Sequence, residues 1–174
     1  MISTRNVAAC ALASLMALSS TLPAGAITDG AFTYSSPKTG YLALSTMAFT
    51  PDGSSTAANS WFNSWTNNSL SGNGCFNAGV NLPNGAKITS IRVMYSKGIF
   101  VNLVAVPRET GAGTVIATIT RSHANSNRVG FTNTLADPVE VDNNTNQIGI
   151  GICVNTGESF NGVRINYTYT SAGD

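Results

Sequence analysis

The chain carries its clearest strand pattern near its end, in Gly162-Val163-Arg164-Ile165-Asn166-Tyr167-Thr168-Tyr169-Thr170. Val163, Ile165, Tyr167 and Tyr169 take every second position, and polar side chains fill the positions between them. Because successive side chains of a strand point to opposite faces of its sheet, this alternation predicts a strand with one core face and one solvent face.

A second row of apolar residues lies just before this strand. Its members alternate with two glycines and a cysteine, so the opposite face should be flat; the row is Ile148, Ile150, Ile152 and Val154, against Gly149, Gly151 and Cys153. A flat face of this kind permits close approach of another subunit, and it equally fits a bulge or tight packing within the chain.

Similar short segments recur through the chain, separated by turn residues such as Leu82-Pro83-Asn84-Gly85. We expect further strands near 41–49, 75–81, 86–96, 99–106, 114–121, 128–135 and 139–141. No helical periodicity accompanies them. The sequence therefore predicts an all-β fold: a two-sheet antiparallel sandwich of about eight strands with jelly-roll topology.

The first 26 residues have the features of a secretory leader. Arg5 is followed by an apolar run over 7–22 and then by Ala24-Gly25-Ala26, a small-residue cleavage site. The run is too short and too serine-rich for a retained membrane span. We expect residues 1–26 to be a signal peptide and residues 27–174 a single secreted domain, located outside the cell, at the cell surface or in a periplasm.

Charge excludes some partners. The chain has nine Lys and Arg against eight Asp and Glu, and loss of Arg5 with the leader would balance them. A neutral chain has no electrostatic footprint for nucleic acid.

Cys75 and Cys153 are the two cysteines outside the leader, and export to an oxidising compartment favours a disulfide between them. Both face away from their apolar rows, so their strands should be neighbours in one sheet.

Two motifs resemble a group of uncharacterised secreted bacterial β-sandwich proteins. One is the Leu-Pro-x-Gly-Ala turn within Gly79-Val80-Asn81-Leu82-Pro83-Asn84-Gly85-Ala86-Lys87-Ile88-Thr89-Ser90-Ile91, and the other is the C-terminal Gly-Val-Arg-Ile-x-Tyr strand at 162–167. The resemblance implies export and a β-sandwich fold, and it brings no activity or site residue with it.

Catalytic groups are scarce. His123 is the single histidine, and no Gly-x-Ser-x-Gly motif accompanies it. The carboxylates fall mostly at predicted turns, although two of them placed across a cleft would suit a glycosidase; they are Asp29, Asp52, Glu109, Asp137, Glu140, Asp142, Glu158 and Asp174. We predict no catalytic residues and no cofactor, with a secreted carbohydrate-active hydrolase as the alternative.

One segment has a weak resemblance to a calcium loop. Asp142, Asn144 and Asn146 recur at every second residue, but Gln147 and Cys153 stand where an EF-hand needs glycine and glutamate. The other interpretation is an asparagine-rich turn between strands.

The segment Asn59-Ser60-Trp61-Phe62-Asn63-Ser64-Trp65-Thr66-Asn67-Asn68 contains both tryptophans of the protein, set among amides and hydroxyls. Aromatic faces stack on the apolar faces of sugars while amides bond their hydroxyl groups, so Trp61, Phe62, Asn63 and Trp65 are the candidate ligand-binding residues. The competing interpretation, favoured by the usual burial of large aromatic side chains, is a satellite core that closes one end of the sandwich.

The sequence thus predicts a secreted, non-enzymatic binding or surface-structural protein whose partner is a glycan or another cell-surface polymer. A homo-oligomeric assembly subunit is a further alternative.

Overall fold

The computed structural model describes residues 33–53, 61–124 and 126–171. The predicted signal peptide, Asp29 and Asp174 lie outside these ranges. Within them the chain forms strands almost throughout, with one short 3-10 helix, Thr46–Ala48. The strands are β1 (Thr33–Leu44), β2 (Thr50–Pro51), β3 (Phe62–Ser64), β4 (Ser69–Ser71), β5 (Gly74–Val80), β6 (Lys87–Ser96), β7 (Gly98–Pro107), β8 (Thr114–Ser122), β9 (Val129–Glu140), β10 (Asn146–Val154) and β11 (Ser159–Ser171).

The strands form two antiparallel sheets. Sheet A has the order β3-β4-β11-β6-β9, with β1 also paired to β11, and sheet B has the order β2-β5-β10-β7-β8. The long strands alone give β1-β11-β6-β9 and β5-β10-β7-β8, in which early strands pair with late ones. This is jelly-roll topology, so the predicted two-sheet sandwich is confirmed.

The apolar rows meet between the sheets. Ile165 of β11 and Ile150 of β10 are fully or almost fully buried, and so are Phe76 and Phe160. Both predicted rows face this core, while Arg164 on the opposite face of β11 is exposed. The alternation therefore identified the core faces correctly.

Some predicted boundaries were wrong. The first strand spans Thr33–Leu44 rather than 41–49, because the chain turns into the 3-10 helix after Leu44. The two segments 128–135 and 139–141 are one strand, β9, whose register shifts partway along β6. Beyond the eight long strands there are three short ones, β2, β3 and β4, which the turn-rich sequence around them concealed.

Cys75 and Cys153 are direct register partners on β5 and β10, with their Cα atoms 4.1 Å apart, and they form a disulfide. This confirms both the bridge and the predicted neighbouring strands. Among the described residues, no helix has the length and apolar character needed to cross a membrane.

Candidate functional site

The aromatic segment forms an exposed hairpin at one edge of sheet A. β3 and β4 pair with each other, and β4 continues the sheet onto β11 through Leu70 and Ser71. The exposed fraction is 41% for Trp61, 66% for Phe62 and 78% for Trp65. The satellite-core interpretation is therefore wrong for Phe62 and Trp65. Trp61 is less exposed than these two residues, because its ring packs edge-on against the buried Phe76 ring, with the ring centroids 5.6 Å apart.

The turn that presents Trp65 is held from within by a buried serine. The Ser64 hydroxyl accepts a hydrogen bond from the Asn67 N–H at 3.3 Å and lies 3.1 Å from the Thr66 hydroxyl. Ser64 is 7% exposed, so this hydroxyl sits beneath the turn. Local bonds of this type fix a turn and limit its alternatives.

Asn68 anchors the same turn to the rest of the sandwich. Its Oδ1 accepts hydrogen bonds from the backbone N–H and hydroxyl of Thr46, at 2.9 and 3.2 Å. Its Nδ2 donates to the Asn161 carbonyl at 2.8 Å, and the Asn161 Nδ2 donates back to the Asn68 carbonyl at 3.2 Å. A further bond runs from the Arg128 guanidinium to the Asn67 carbonyl at 2.8 Å. Trp65 is thus exposed on a turn whose backbone is held at several points.

Asn63, a predicted ligand-binding residue, forms a hydrogen bond within the chain. Its Nδ2 donates to the Thr46 carbonyl at 2.9 Å, so the side chain ties β3 to the 3-10 helix. Its Oδ1 is buried and has no hydrogen-bond partner in the described part of the chain, as is also the case for the Asn161 Oδ1. Asn63 therefore supports the hairpin through its amide nitrogen.

A cavity of about 380 Å³ lies beside this hairpin. β1 and β4 pair with the same side of β11 and leave a gap between them at Asn161 and Gly162, since β6 pairs along the other side. The cavity lies over β11 at this gap and extends to Arg92 and Met94 of β6. Two arginines, Arg92 and Arg164, line it together with Ala43, Leu44, Ser45, Asn68, Met94, Asn161, Gly162 and Val163.

Sequence reasoning did not place these arginines at a cavity. Alternation placed Arg164 on the outward face of β11, but only the register shows that Arg92 lies directly opposite it on β6. Tyr41, 70% exposed on β1, was missed as well; its ring lies 5.8 Å from the Arg164 guanidinium.

In the candidate calcium loop, the Asp142 carboxylate is engaged in hydrogen bonds within its own turn. The Asp142 carboxylate accepts hydrogen bonds from the Thr145 hydroxyl at 2.7 Å and from the Asn144 N–H at 3.0 Å. These bonds, that of Thr145 first, lower the pKa of the Asp142 carboxyl. The Asn146 amide nitrogen donates to the Thr145 hydroxyl at 3.0 Å. The described residues contain no group of three His, Cys, Asp or Glu side chains able to hold a metal ion.

The remaining titratable candidates are spread over loops and strand ends. His123 follows β8, is exposed, and donates its backbone N–H to the Lys97 carbonyl. Glu140 forms an ion pair with Lys87 at 3.5 Å, and Glu158 accepts hydrogen bonds from the backbone and side chain of Asn155. The cavity beside the hairpin has no carboxylate in its lining, and a smaller cavity between β7, β8 and Asn155 has a single one, that of Glu158.

Within the described ranges, no segment covers the glycine-rich face of sheet B. A Cβ added to Gly149 or Gly151 would meet only backbone oxygens at 3.8 and 3.9 Å, and one added to Gly79 would meet nothing within 4 Å. The register of β10 is unbroken against both of its neighbours. In the part of the chain that the structure describes, these glycines therefore mark neither a bulge nor tight packing of another segment.

No protein-family model and no curated protein matches the sequence. Among solved structures, a xylan-binding module of carbohydrate-binding family 15 is 15% identical with a TM-score of 0.46, covering 79% of this chain and 99% of its own. A family 32 carbohydrate-binding module from C. perfringens NanJ, solved with galactose, is 15% identical with a TM-score of 0.36, covering 74% and 93%. A Podospora anserina β-(1,4)-mannanase is 17% identical with a TM-score of 0.36, and the match covers 79% of this chain and 28% of that longer one. At such TM-scores none of these likenesses identifies a ligand for this chain.

Proposed function

We propose that this protein is a secreted, non-catalytic glycan-binding β-sandwich protein that holds sugar rings on the aromatic hairpin of Trp61, Phe62 and Trp65. The observation that carries the proposal is the exposure of Trp65, 78%, on a turn held by side-chain hydrogen bonds. Large aromatic side chains left in water on a rigid support are typical of a binding surface.

The rigidity of the turn affects the affinity for a ligand as well as the exposure of Trp65. A ligand that meets an ordered turn avoids the entropy cost of ordering it, and this cost otherwise reduces the free energy of binding. Thr66 and Asn67 are exposed beside Trp65 and supply hydroxyl and amide groups for sugar hydroxyls. Aromatic stacking together with neutral hydrogen bonds suits a neutral, hydroxyl-rich polymer better than it suits nucleic acid.

The same proposal includes two further parts: the protein is exported, and it has no catalytic activity. The described carboxylates with side-chain partners are engaged in turns or in an ion pair, which supports a role by contact alone. The Cys75–Cys153 disulfide fits an oxidising compartment, and so does the resemblance to secreted bacterial β-sandwich proteins.

The proposal is tested by calorimetric titration of the mature domain against a panel of soluble polysaccharides. We expect saturable binding of at least one of them, weakened about thirtyfold by Trp65→Ala, since truncating a central aromatic contact typically costs ~2 kcal/mol. Trp65→Ala should leave the free energy of unfolding within about 0.5 kcal/mol, because the side chain is exposed.

Phe100→Ala is the matched control. Phe100 is also an exposed aromatic, 38%, but it lies on β7 in the other sheet. We expect this variant to bind like the wild type. Equal binding by Trp65→Ala and wild type, or binding of no polysaccharide by the wild type, would contradict the proposal.

A homo-oligomeric assembly role is the second candidate, favoured by the uncovered face of Gly79, Gly149 and Gly151. Light scattering of the mature domain tests it. A stable oligomer that Gly151→Arg dissociates would support this role, and a monomer at all concentrations would remove it.

A further inference from the structure

The exposed Phe62 ring stands at one end of a row of serines on the outer face of sheet A. Phe62 of β3 pairs with Ser71 of β4, Ser71 pairs with Ser159 of β11, and Ser159 pairs with Ser96 of β6. On each of the three serine strands the neighbouring position is buried in the core; these positions are Leu70, Phe160 and Tyr95. Because successive side chains of a strand point to opposite faces, the serines lie on the outer face.

The serine hydroxyls retain hydrogen-bonding capacity for a ligand. All three serines are half-buried. The Ser71 hydroxyl makes no hydrogen bond within the described ranges, whereas the hydroxyls of Ser96 and Ser159 bond to each other. That pair uses one of its two protons, so it can still donate one hydrogen bond and accept others. The row therefore offers donors and acceptors beside an exposed aromatic ring.

The turn that carries Trp65 borders this row. Ser64 lies two positions from Phe62 on β3, so both side chains point to the same side of the sheet. The Asn67 N–H donates to the Ser64 hydroxyl at 3.3 Å, so the turn 65–68 closes over this outer face. A chain laid along the serines would pass beside that turn.

Arg128 closes the other end of the row. Its neighbour Val129 pairs with Tyr95, and the same register continued by one position sets Arg128 beside Ser96. The Arg128 Nη2 donates to the Asn67 carbonyl at 2.8 Å. Since β11 and β6 lie between β4 and β9, the Arg128 side chain crosses the outer face of the sheet to reach the turn. Among the described residues its guanidinium makes no further hydrogen bond, so other N–H groups of it are available to a ligand.

We propose that this row is an extended subsite that binds an internal segment of a neutral, linear polysaccharide lying across the strands of sheet A. One sugar ring stacks on Phe62, and the following rings form hydrogen bonds with the serine hydroxyls and then with Arg128. Phe62 and Arg128 are four strand spacings apart, about 19 Å, so the row is longer than a single sugar ring. The inference rests on the proposed glycan binding and specifies the shape of the glycan.

A neutral chain is favoured over an acidic one by the content of the row. Arg128 is its single cation, and one of the guanidinium nitrogens is already engaged with a backbone carbonyl. Hydroxyl groups supply the other polar contacts, and they suit the hydroxyl groups of a sugar as both donors and acceptors.

The test measures how affinity depends on chain length. Linear β-linked oligosaccharides of glucose, xylose and mannose, from disaccharide to hexasaccharide, are titrated calorimetrically into the mature domain. We expect one series to bind, with the tetrasaccharide about tenfold or more tighter than the disaccharide, because a longer chain reaches more of the row. NaCl should leave this affinity nearly unchanged, since screening acts on charged pairs. An affinity that falls steeply with NaCl would overturn the neutral class.

Ser71 variants assign the length dependence to the row. Ser71→Ala should weaken tetrasaccharide binding about fivefold, as expected for the loss of one hydrogen bond, and the bulkier Ser71→Leu should weaken it further by blocking the row. The matched control is Ser122, an exposed serine of β8 in the other sheet, for which the same two substitutions should have no effect on binding. Thermal unfolding checks that each variant is folded.

Chain length also separates the two roles open to Arg128. If Arg128 contacts the far end of the bound chain, Arg128→Gln should weaken the tetrasaccharide and hexasaccharide and leave the disaccharide unchanged. Equal weakening at every length would mean that Arg128 only holds the turn, and it would overturn its place in the row.

The outcomes distinguish this inference from the proposed function. Equal affinity for all chain lengths, with binding lost in Trp65→Ala, would overturn the extended subsite and leave glycan binding on the hairpin intact. Binding that depends on chain length and Ser71 but is unaffected by Trp65→Ala would support the subsite and remove Trp65 from the platform. Binding of none of the oligosaccharides would overturn the subsite, whether or not another glycan binds.

Discussion

Gly162 holds its backbone at a φ of +112°, a conformation that residues with side chains rarely adopt. It lies in β11 between Phe160 and Val163, where the register with β6 shifts. A Cβ there would stand 3.1 Å from the Leu44 carbonyl oxygen and 3.3 Å from the Asn68 amide nitrogen. The cavity and the anchored turn therefore meet at a position that favours glycine.

We expect Gly162→Ala to lower the free energy of unfolding by ~1–3 kcal/mol through backbone strain and the close contact with Leu44. Thermal unfolding followed by circular dichroism measures the change. Gly79→Ala is the control: it is a strand glycine with nothing within 4 Å of its added Cβ, and it should be neutral or slightly stabilising. Equal effects of the two substitutions would contradict the strain argument.

Asp142 provides a pH-dependent prediction. Its turn bonds, that of the Thr145 hydroxyl first, lower the pKa of the carboxyl in the folded protein. A depressed folded-state pKa contributes stability that is fully present above the unfolded pKa, about 3.9, and is lost as pH falls through the folded value. We expect Asp142→Asn to have a lower melting temperature than wild type at neutral pH. That difference should shrink on acidification below about pH 4, and a difference independent of pH would contradict the assignment.

Single residues also show which side-chain positions can be predicted from the sequence and which cannot. The alternation through Val163 to Tyr169 was enough to place Arg164 in solvent. It was not enough to place Arg92 beside it, because that depends on the register of a strand about 70 residues earlier. Trp65 was expected to follow the average burial of its residue type, and its exposure depends on hydrogen bonds of Asn68 to Thr46 and Asn161, which are distant in the chain.

At the level of elements, the disulfide joins β5 to β10 at facing positions, Cys75 and Cys153, which are separated by 78 positions in the sequence. The closed segment contains β6 to β9, so the bridge restricts much of the unfolded chain. Loop-closure entropy gives a contribution of about 4 kcal/mol for a loop of this length.

We therefore expect Cys75→Ala with Cys153→Ala to unfold at a lower denaturant concentration, corresponding to a loss of about 4 kcal/mol. The far-ultraviolet spectrum should stay that of a β protein, because the apolar rows of β10 and β11 are unchanged. Urea unfolding of the double variant, with the reduced wild type as control, measures this. Identical midpoints for oxidised and reduced wild type would contradict it.

Strand alternation predicted the long elements well and the short ones poorly. β10 and β11 were recognised because each buries a full apolar row. Most of the first part of β1 was missed: Thr33 to Thr39 is mainly exposed, includes Pro37 and Lys38, and shifts register against β11. β3 and β4 are three residues each, too short for a period to appear.

At the level of the whole molecule, the two-sheet architecture was predictable from a general property of sandwiches. The apolar row of each strand must pack against apolar rows of the facing sheet. The proposed binding surface was not predictable to the same extent. It is an edge hairpin whose turn is held by Thr46, Arg128 and Asn161, and these contacts arise only when distant segments are brought together.

Export is a prediction for the whole chain. Expressed with its predicted leader in a bacterial host, the protein should appear outside the cytoplasm with Ile27 at its N-terminus, since Ala24-Gly25-Ala26 has the small-residue pattern of a cleavage site. Intact-mass spectrometry of the exported and cytoplasmic fractions measures the mature end. Replacing Ala24 and Ala26 by bulky residues should block processing, and an unprocessed exported chain in the wild type would contradict the prediction.

The pairing of β1 with β11 has a mechanical consequence. Thr33 at the start of β1 and Ser171 at the end of β11 are register partners, so a force that pulls the two ends apart loads the outermost bond of an antiparallel pair first. We expect the pair to unzip bond by bond at low force instead of resisting in shear. Extension would then stop short of full length, because the Cys75–Cys153 bridge keeps 78 residues of chain from lengthening. A protein tethered by both ends would thus yield early at its outer strands while its closed central segment stays short.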